Sequence, residues 1–227
     1  MNVLKSIICI IVFILFFSTC GIEEYIYLKE VESFSSNELD QYVDFTLPEQ
    51  NYSGFKNYKL YYRIYLDFTY PANNPAISSD LSRIIQINET PSLLESVLNS
   101  LFYREIEFGE DDTSISKINN PLTATASGKT FKINFKVSDE KKYIRMYDSN
   151  NIETYRLFRN TSVVKEEDSD FLYYKDINGE DITNYSLYEP DRAYAQLIIV
   201  AIGMDSNLKT FMSKATKLCV IELSTRD

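Results

Sequence analysis

The clearest periodic signal in the chain runs from Lys59 to Phe68. Leu60, Tyr62, Ile64, Leu66 and Phe68 share one face of an extended segment; Lys59, Tyr61, Arg63, Tyr65 and Asp67 share the other. Alternation of period two with one apolar face predicts a half-buried strand whose second face is polar. On that reading Ile64 lies in the core with Tyr62, Leu66 and the region of Ile198 and Val200, and Arg63 lies at the surface. Ala193 to Gly203 is a continuous apolar run, as expected of a central strand. Further strands are predicted at Tyr25 to Val31, ended by Ser33-Phe34-Ser35-Ser36-Asn37, and at Phe131 to Val137. Tyr143 to Tyr147 and Ile152 to Phe158 flank Asp148-Ser149-Asn150-Asn151 as a hairpin. Phe171 to Ile177 and Asp181 to Leu187 flank Asn178-Gly179, the strongest short hairpin signal. Ala215 to Leu223 supplies the last strand.

One helix interrupts this pattern. Thr90 can cap it and Pro91 suits its first turn. Leu94, Val97, Leu98, Leu101 and Phe102 then recur at helical spacing and form one apolar stripe. Pro71-Ala72-Asn73-Asn74-Pro75 is a loop. The segment from Gly109 to Gly128, acidic and then rich in Ser, Thr and Asn, is expected to be a long loop. No internal repeat is present.

The N-terminus has a different character. Met1 to Lys5 carries one cation and no acid, and Ile7 to Phe17 is wholly apolar. A basic segment, an apolar run of this length and small residues after it define an export signal; a spanning helix needs about 20 apolar residues. Phe17-Ser18-Thr19-Cys20-Gly21 resembles the lipobox of bacterial lipoproteins, most closely the relaxed boxes of spirochaetes. Phe17 stands where Leu is usual, and Thr19 where Gly or Ala is usual. The resemblance implies cleavage before Cys20 and diacylglycerol on its sulfur, so that residues 1–19 are a signal peptide. On the same resemblance Gly21, rather than Asp, permits sorting to the outer membrane. Residues 20–41 form a short lead without a Gly/Ser/Pro tether, and residues 42–227 one domain with an insertion at about 70–128.

Charge and composition narrow the rest. Removing residues 1–19 takes Lys5 and no acid, which leaves 22 cations against 33 acids. Phosphate backbones need Lys and Arg, so nucleic acid is not an expected partner; nor is electrostatic docking on anionic lipid. The chain has no His and no Trp, which excludes His-based triads and the usual zinc sites. Of three cysteines, Cys9 leaves with the signal and Cys20 takes lipid. Cys219, in an alternating segment with no cationic cluster beside it, reads as a buried, inert thiol.

Candidate chemistry is thin. Gly128-Lys129-Thr130 resembles the end of a phosphate loop, but Thr123 stands where that loop requires Gly and a strand pattern follows. Glu110-Asp111-Asp112 and Glu166-Glu167-Asp168 with Asp170 could offer oxygens to calcium. Asp176-Ile177-Asn178-Gly179 is only a fragment of a calcium-loop spacing, and charge runs are usually solvated loops. No carboxylate pair stands in an apolar context that would raise a pKa for glycoside hydrolysis. Tyr61 and Tyr65 either lie under another layer, satisfy strand propensity, or present aromatic surface to a protein or glycan. The sequence thus calls for no catalytic residue, metal or cofactor.

Short strands at near-regular spacing suggest a β-sandwich. The ending Pro190-Asp191-Arg192-Ala193-Tyr194, an apolar strand, a loop and a final strand resembles the last two strands of fibronectin type III and immunoglobulin-like domains, with Tyr194 as the corner tyrosine. Lys59 to Tyr65 resembles a middle strand of that fold. The expected protein is mainly β, an antiparallel sandwich of this kind with a helix-containing insertion. Its expected role is a lipid-anchored, non-catalytic binding or scaffolding module of the envelope. The alternative is a β-barrel carrier that encloses an apolar small molecule.

Overall fold

A computed structural model of the chain describes residues 27–34, 42–66, 79–80, 82–84, 93–110, 117–135, 144–148, 154–160 and 193–223. The described strands are β1 (Glu32–Phe34), β2 (Tyr42–Thr46), β3 (Phe55–Leu66), β4 (Arg104–Glu105), β5 (Glu107–Glu110), β6 (Lys117–Ile118), β7 (Thr130–Asn134), β8 (Arg145–Asp148), β9 (Thr154–Phe158), β10 (Ala193–Met204), β11 (Thr210–Met212) and β12 (Thr216–Leu223). They form two antiparallel sheets. One has the order β1-β2-β7-β8-β9-β5-β6. The other has the order β11-β10-β3-β4, with β12 beside β11 on the same edge of β10.

β10 organises the second sheet because it is apolar on both faces and paired on both edges. Along one edge its residues match β3, with Ala195 opposite Ile64, Leu197 opposite Tyr62 and Ile199 opposite Leu60. These side chains turn towards the seven-stranded sheet. Phe45, Phe131, Ile133, Met146 and Leu157 meet them from that sheet and complete one core. Phe45 and Phe131 stack across β2 and β7 with ring centroids 5.9 Å apart.

The opposite face of the same sheet is also covered. Tyr61, Ile198, Val200 and Ile202 pack against Ile84 and against Leu94, Leu98 and Leu101 of helix α1 (Leu94–Ser100) and its C-terminal turn. The fold is therefore an antiparallel sandwich with a helical layer on one outer face. Residues 59–65 lie inside β3, and the two strands expected at the end of the chain are β10 and β12, paired antiparallel.

Several expectations change. The second face of β3 is dry, so Tyr61, Arg63 and Tyr65 are buried beneath the helical layer. Ile198 and Val200 lie on this face, not with Ile64, because the register places the odd-numbered residues of β10 beside the even-numbered residues of β3. The first described strand is β1, which shares Ser33 and Phe34 with the segment expected to end a strand, while residues 27–31 are non-strand. The expected loop from Gly109 to Gly128 contains the end of β5, all of β6 and a 3-10 turn at Ala124–Ala126. The insertion thus contributes strands to both sheets. The N-cap of α1 is Leu93, and Phe102 leaves the apolar stripe with a backbone φ of 60° and 55% exposure. The closed barrel of the carrier reading is not formed by the described strands, which make two open sheets.

Tyr194 is buried with Tyr65 and Val220. Its hydroxyl has no hydrogen-bond partner among the described residues, and the upstream backbone that a corner tyrosine would reach lies outside them. Cys20, Thr90, Pro91, Asp111, Asp112, residues 166–170 and the expected hairpin around Asn178-Gly179 also lie outside the described residues.

Position 64 tests the central packing. Ile64→Ala is expected to cost roughly 2–5 kcal/mol in urea melts, the range for truncating a buried aliphatic side chain. Lys217→Ala, exposed on β12, is expected to stay within about 0.5 kcal/mol.

Candidate functional site

The odd positions of β3 build the site. Lys59, Tyr61, Arg63 and Tyr65 project from the face covered by α1 and by the helical residues 79–80 and 82–84. Asp80 comes from those helical residues, and Tyr103 follows α1. Gln196 stands opposite Arg63 in the β3–β10 register. Arg63, Tyr65, Asp80, Tyr103 and Gln196 together form a buried polar cluster between sheet and helical layer.

Its connections follow from donor and acceptor counts. Arg63 Nη1 lies 2.5 Å from Asp80 Oδ2, and the Arg63 guanidinium sits 4.7 Å from the centre of the Tyr65 ring. The Tyr65 hydroxyl has one proton. Its shortest acceptor is Asp80 Oδ2 at 3.0 Å; Gln196 Oε1 is at 3.3 Å and the Tyr103 hydroxyl at 3.4 Å. Tyr103 donates to Gln196 Oε1 at 2.6 Å. A charged pair this deeply buried needs such added hydrogen bonds to offset desolvation.

A groove of about 390 Å³ opens above this cluster, between the C-terminal end of α1 and the β3–β4 edge. Tyr61, Leu98 and Tyr103 form its floor. Lys59 and Glu105, paired at 2.7 Å, stand at its side. Glu95, Asn99, Arg104 and Asn160 complete the polar lining, and Arg104 donates to the Asn160 carbonyl at 3.3 Å. Phe102 forms an exposed aromatic lip. The volume falls in the range of small-ligand sites, and the lining offers charges of both signs beside aromatic surface.

Burial controls the ionisation of the floor. It pushes the Tyr61 hydroxyl well above its ordinary range, and the charges of Glu105 and Glu95 act in the same direction. Burial raises Tyr103 to about 12, although its hydrogen bond with Tyr65 opposes the shift. Tyr65 is raised further by burial and by its coupling to Tyr103. At neutral pH these phenols are uncharged donors, not bases. No group of three or more His, Cys, Asp or Glu side chains that could hold a metal occurs among the described residues. Their buried carboxylates, Asp80 and Asp148, belong to different parts of the fold, Asp148 ending β8.

The structure places Tyr61 and Tyr65 on one covered face and sets apart the other described residues singled out in the sequence. Cys219 lies in the core, where burial pushes its thiol upward. Glu110 is exposed at the end of β5. Gly128 adopts φ of 78° and turns the chain from the 3-10 segment into β7. Asp80, Tyr103 and Gln196 carried one legible signal: Gln196 interrupts an otherwise apolar strand. Neither protein-family models, nor curated proteins, nor solved structures give a match to this chain.

Two outcomes check the cluster. Arg63→Ala leaves Asp80 buried without its guanidinium and is expected to cost about 3–5 kcal/mol; Arg63→Met combined with Asp80→Leu is expected to recover most of that loss in chemical denaturation. Because the folded state raises these phenol pKa values, it keeps protons that the unfolded chain releases above pH 10. These phenols are therefore expected to leave stability unchanged below pH 10 and to lower it above. Between about 10 and 12 the Tyr103 contribution is on the order of 1 kcal/mol per pH unit. Tyr103→Phe should flatten that slope in urea melts followed by tyrosinate absorbance.

Proposed function

We propose that this chain is a lipid-anchored envelope lipoprotein whose sandwich acts as a non-catalytic binding or scaffolding module. The sequence Phe17-Ser18-Thr19-Cys20-Gly21 after the apolar run supplies the anchor, with diacylglycerol on the Cys20 sulfur. The observation that carries the reading is how soon the chain joins the domain. Leu28 is already buried in the core, and Lys29 exchanges two hydrogen bonds with Gln50, its N–H donating to Oε1 at 3.0 Å and its carbonyl accepting from Nε2 at 2.8 Å. Eight residue steps from Cys20 to Leu28 span at most roughly 29 Å. The domain is thereby held against the membrane that takes the acyl chains, which is the outer membrane by the Gly21 criterion.

Permanent attachment follows from acyl chemistry. Each buried CH₂ contributes about 0.8 kcal/mol, and two or more chains make the anchor stable without a basic patch. The groove beside Phe102 is the surface for a protein or glycan partner. Its floor of neutral phenols and its paired rim charges favour recognition by hydrogen bonding and stacking over reaction. The acidic balance of the exported chain disfavours nucleic acid.

Metabolic labelling with a palmitate analogue tests the anchor. The wild-type chain is expected to take label and Cys20→Ala to take none; equal labelling of the two would overturn the reading.

A further inference from the structure

We infer that the end of the sandwich bearing Tyr27 and Leu208 faces the bilayer, with Leu208 seated in the lipid headgroup region. The inference rests on the lipid-anchored reading and adds an orientation and a contact to it. Three segments meet at this end. Lys29 is bonded to Gln50. Two residues on, the Tyr52 hydroxyl donates to the Met204 carbonyl at 2.8 Å, and the Gly54 carbonyl accepts from Met204 N–H at 2.9 Å. A Cβ on Gly54 would overlap the Met204 carbonyl oxygen and the Tyr52 ring, so the approach is available to glycine. Met204 ends β10, and Asp205 to Lys209 turn the chain into β11.

Tether length selects the orientation. Seven residue steps separate Cys20 from Tyr27, a reach of at most about 25 Å. β3 and β10 have 12 residues each, about 40 Å of strand. A domain turned with its other end to the bilayer would lift Tyr27 farther than the tether reaches.

Leu208 is costly in water at this place. Asp205 N–H donates to the Lys209 carbonyl at 3.0 Å, and Leu208 N–H donates to the Asp205 carbonyl at 3.0 Å. Asp205 Oδ1 also accepts from the N–H groups of Asn207 and Lys209. This is a three-residue hairpin loop, whose last position is left-handed and suits glycine. Leu208 fills it with φ of 63° and is 77% exposed. Its side chain is neither relaxed nor packed within the domain. Tyr27, 59% exposed at the same end, has the amphipathic ring that sits at membrane interfaces. The adjoining Lys209 is exposed and can extend its ammonium back to water. Tyr42, near the opposite end, differs: Lys132 covers its ring at 3.9 Å.

The test uses the full lipidated protein, reconstituted into phosphatidylcholine vesicles that contain brominated phosphatidylcholine. Leu208→Cys and Tyr42→Cys are each labelled with an environment-sensitive dye; Cys20 is blocked by lipid and Cys219 is buried. The probe at 208 is expected to shift to the blue and to be quenched several-fold, and the probe at 42 to do neither. Vesicle-bound, acylated protein in which both probes behave alike would overturn the contact and leave the anchor standing. Protein that carries no acyl chain and stays off the vesicles would remove the anchor and the contact together. Leu208→Gly is expected to raise the urea midpoint of the detergent-solubilised protein. A lowered midpoint would mean that the leucine is held by the domain itself, which also overturns the inference.

Discussion

The strand Ala193–Met204 carries no charged side chain and is hydrogen-bonded along both edges. Neither of its faces can be left in water. One face needs the seven-stranded sheet and the other needs the helical layer, so the three-layer arrangement follows from this strand. β3 is bound to it over nearly its full length and shares both obligations. Apolar burial of this kind contributes roughly 25 cal/mol per Å², and a single exposed face on so long a strand would forfeit much of that.

The covered face also explains the buried polar cluster. Arg63 occupies a position where an uncovered sandwich would meet solvent. The helical layer removes that solvent and brings Asp80 in exchange. The pair is then built into Tyr65, Tyr103 and Gln196, which come from β3, the turn after α1 and β10. Such networks specify one seating of a layer, because a shifted helix leaves charges unmatched. The same seating shapes the groove, since Tyr103 belongs to both.

Much of the frame was legible in the pattern of side chains. The alternation in residues 59–68 and the apolar run from 193 located the two longest strands, and the order of the ending located β12. The second face of β3 was not legible. Period two states that two faces differ; it does not state that the less apolar one is exposed, and tyrosine serves in either setting. Short strands were also missed. β5 is Glu-Phe-Gly-Glu and β6 is Lys-Ile, segments whose strand state is imposed by neighbours and not by propensity. β1 lies at a sheet edge, where Glu32 and Ser33 are tolerated. The cluster escaped because Asp80, Tyr103 and Gln196 are far apart in sequence and lack a shared motif.

The margins of the two sheets, as the described strands form them, have a consequence for contact between copies of the chain. β1, β4, β6 and β11 are each two or three residues long. Brief margins offer few free backbone groups to a neighbouring copy. The longer margin, β12, sets exposed Lys217 and Glu222 along its length. When two copies meet edge to edge, these blunt, charged borders give strand pairing little to extend from.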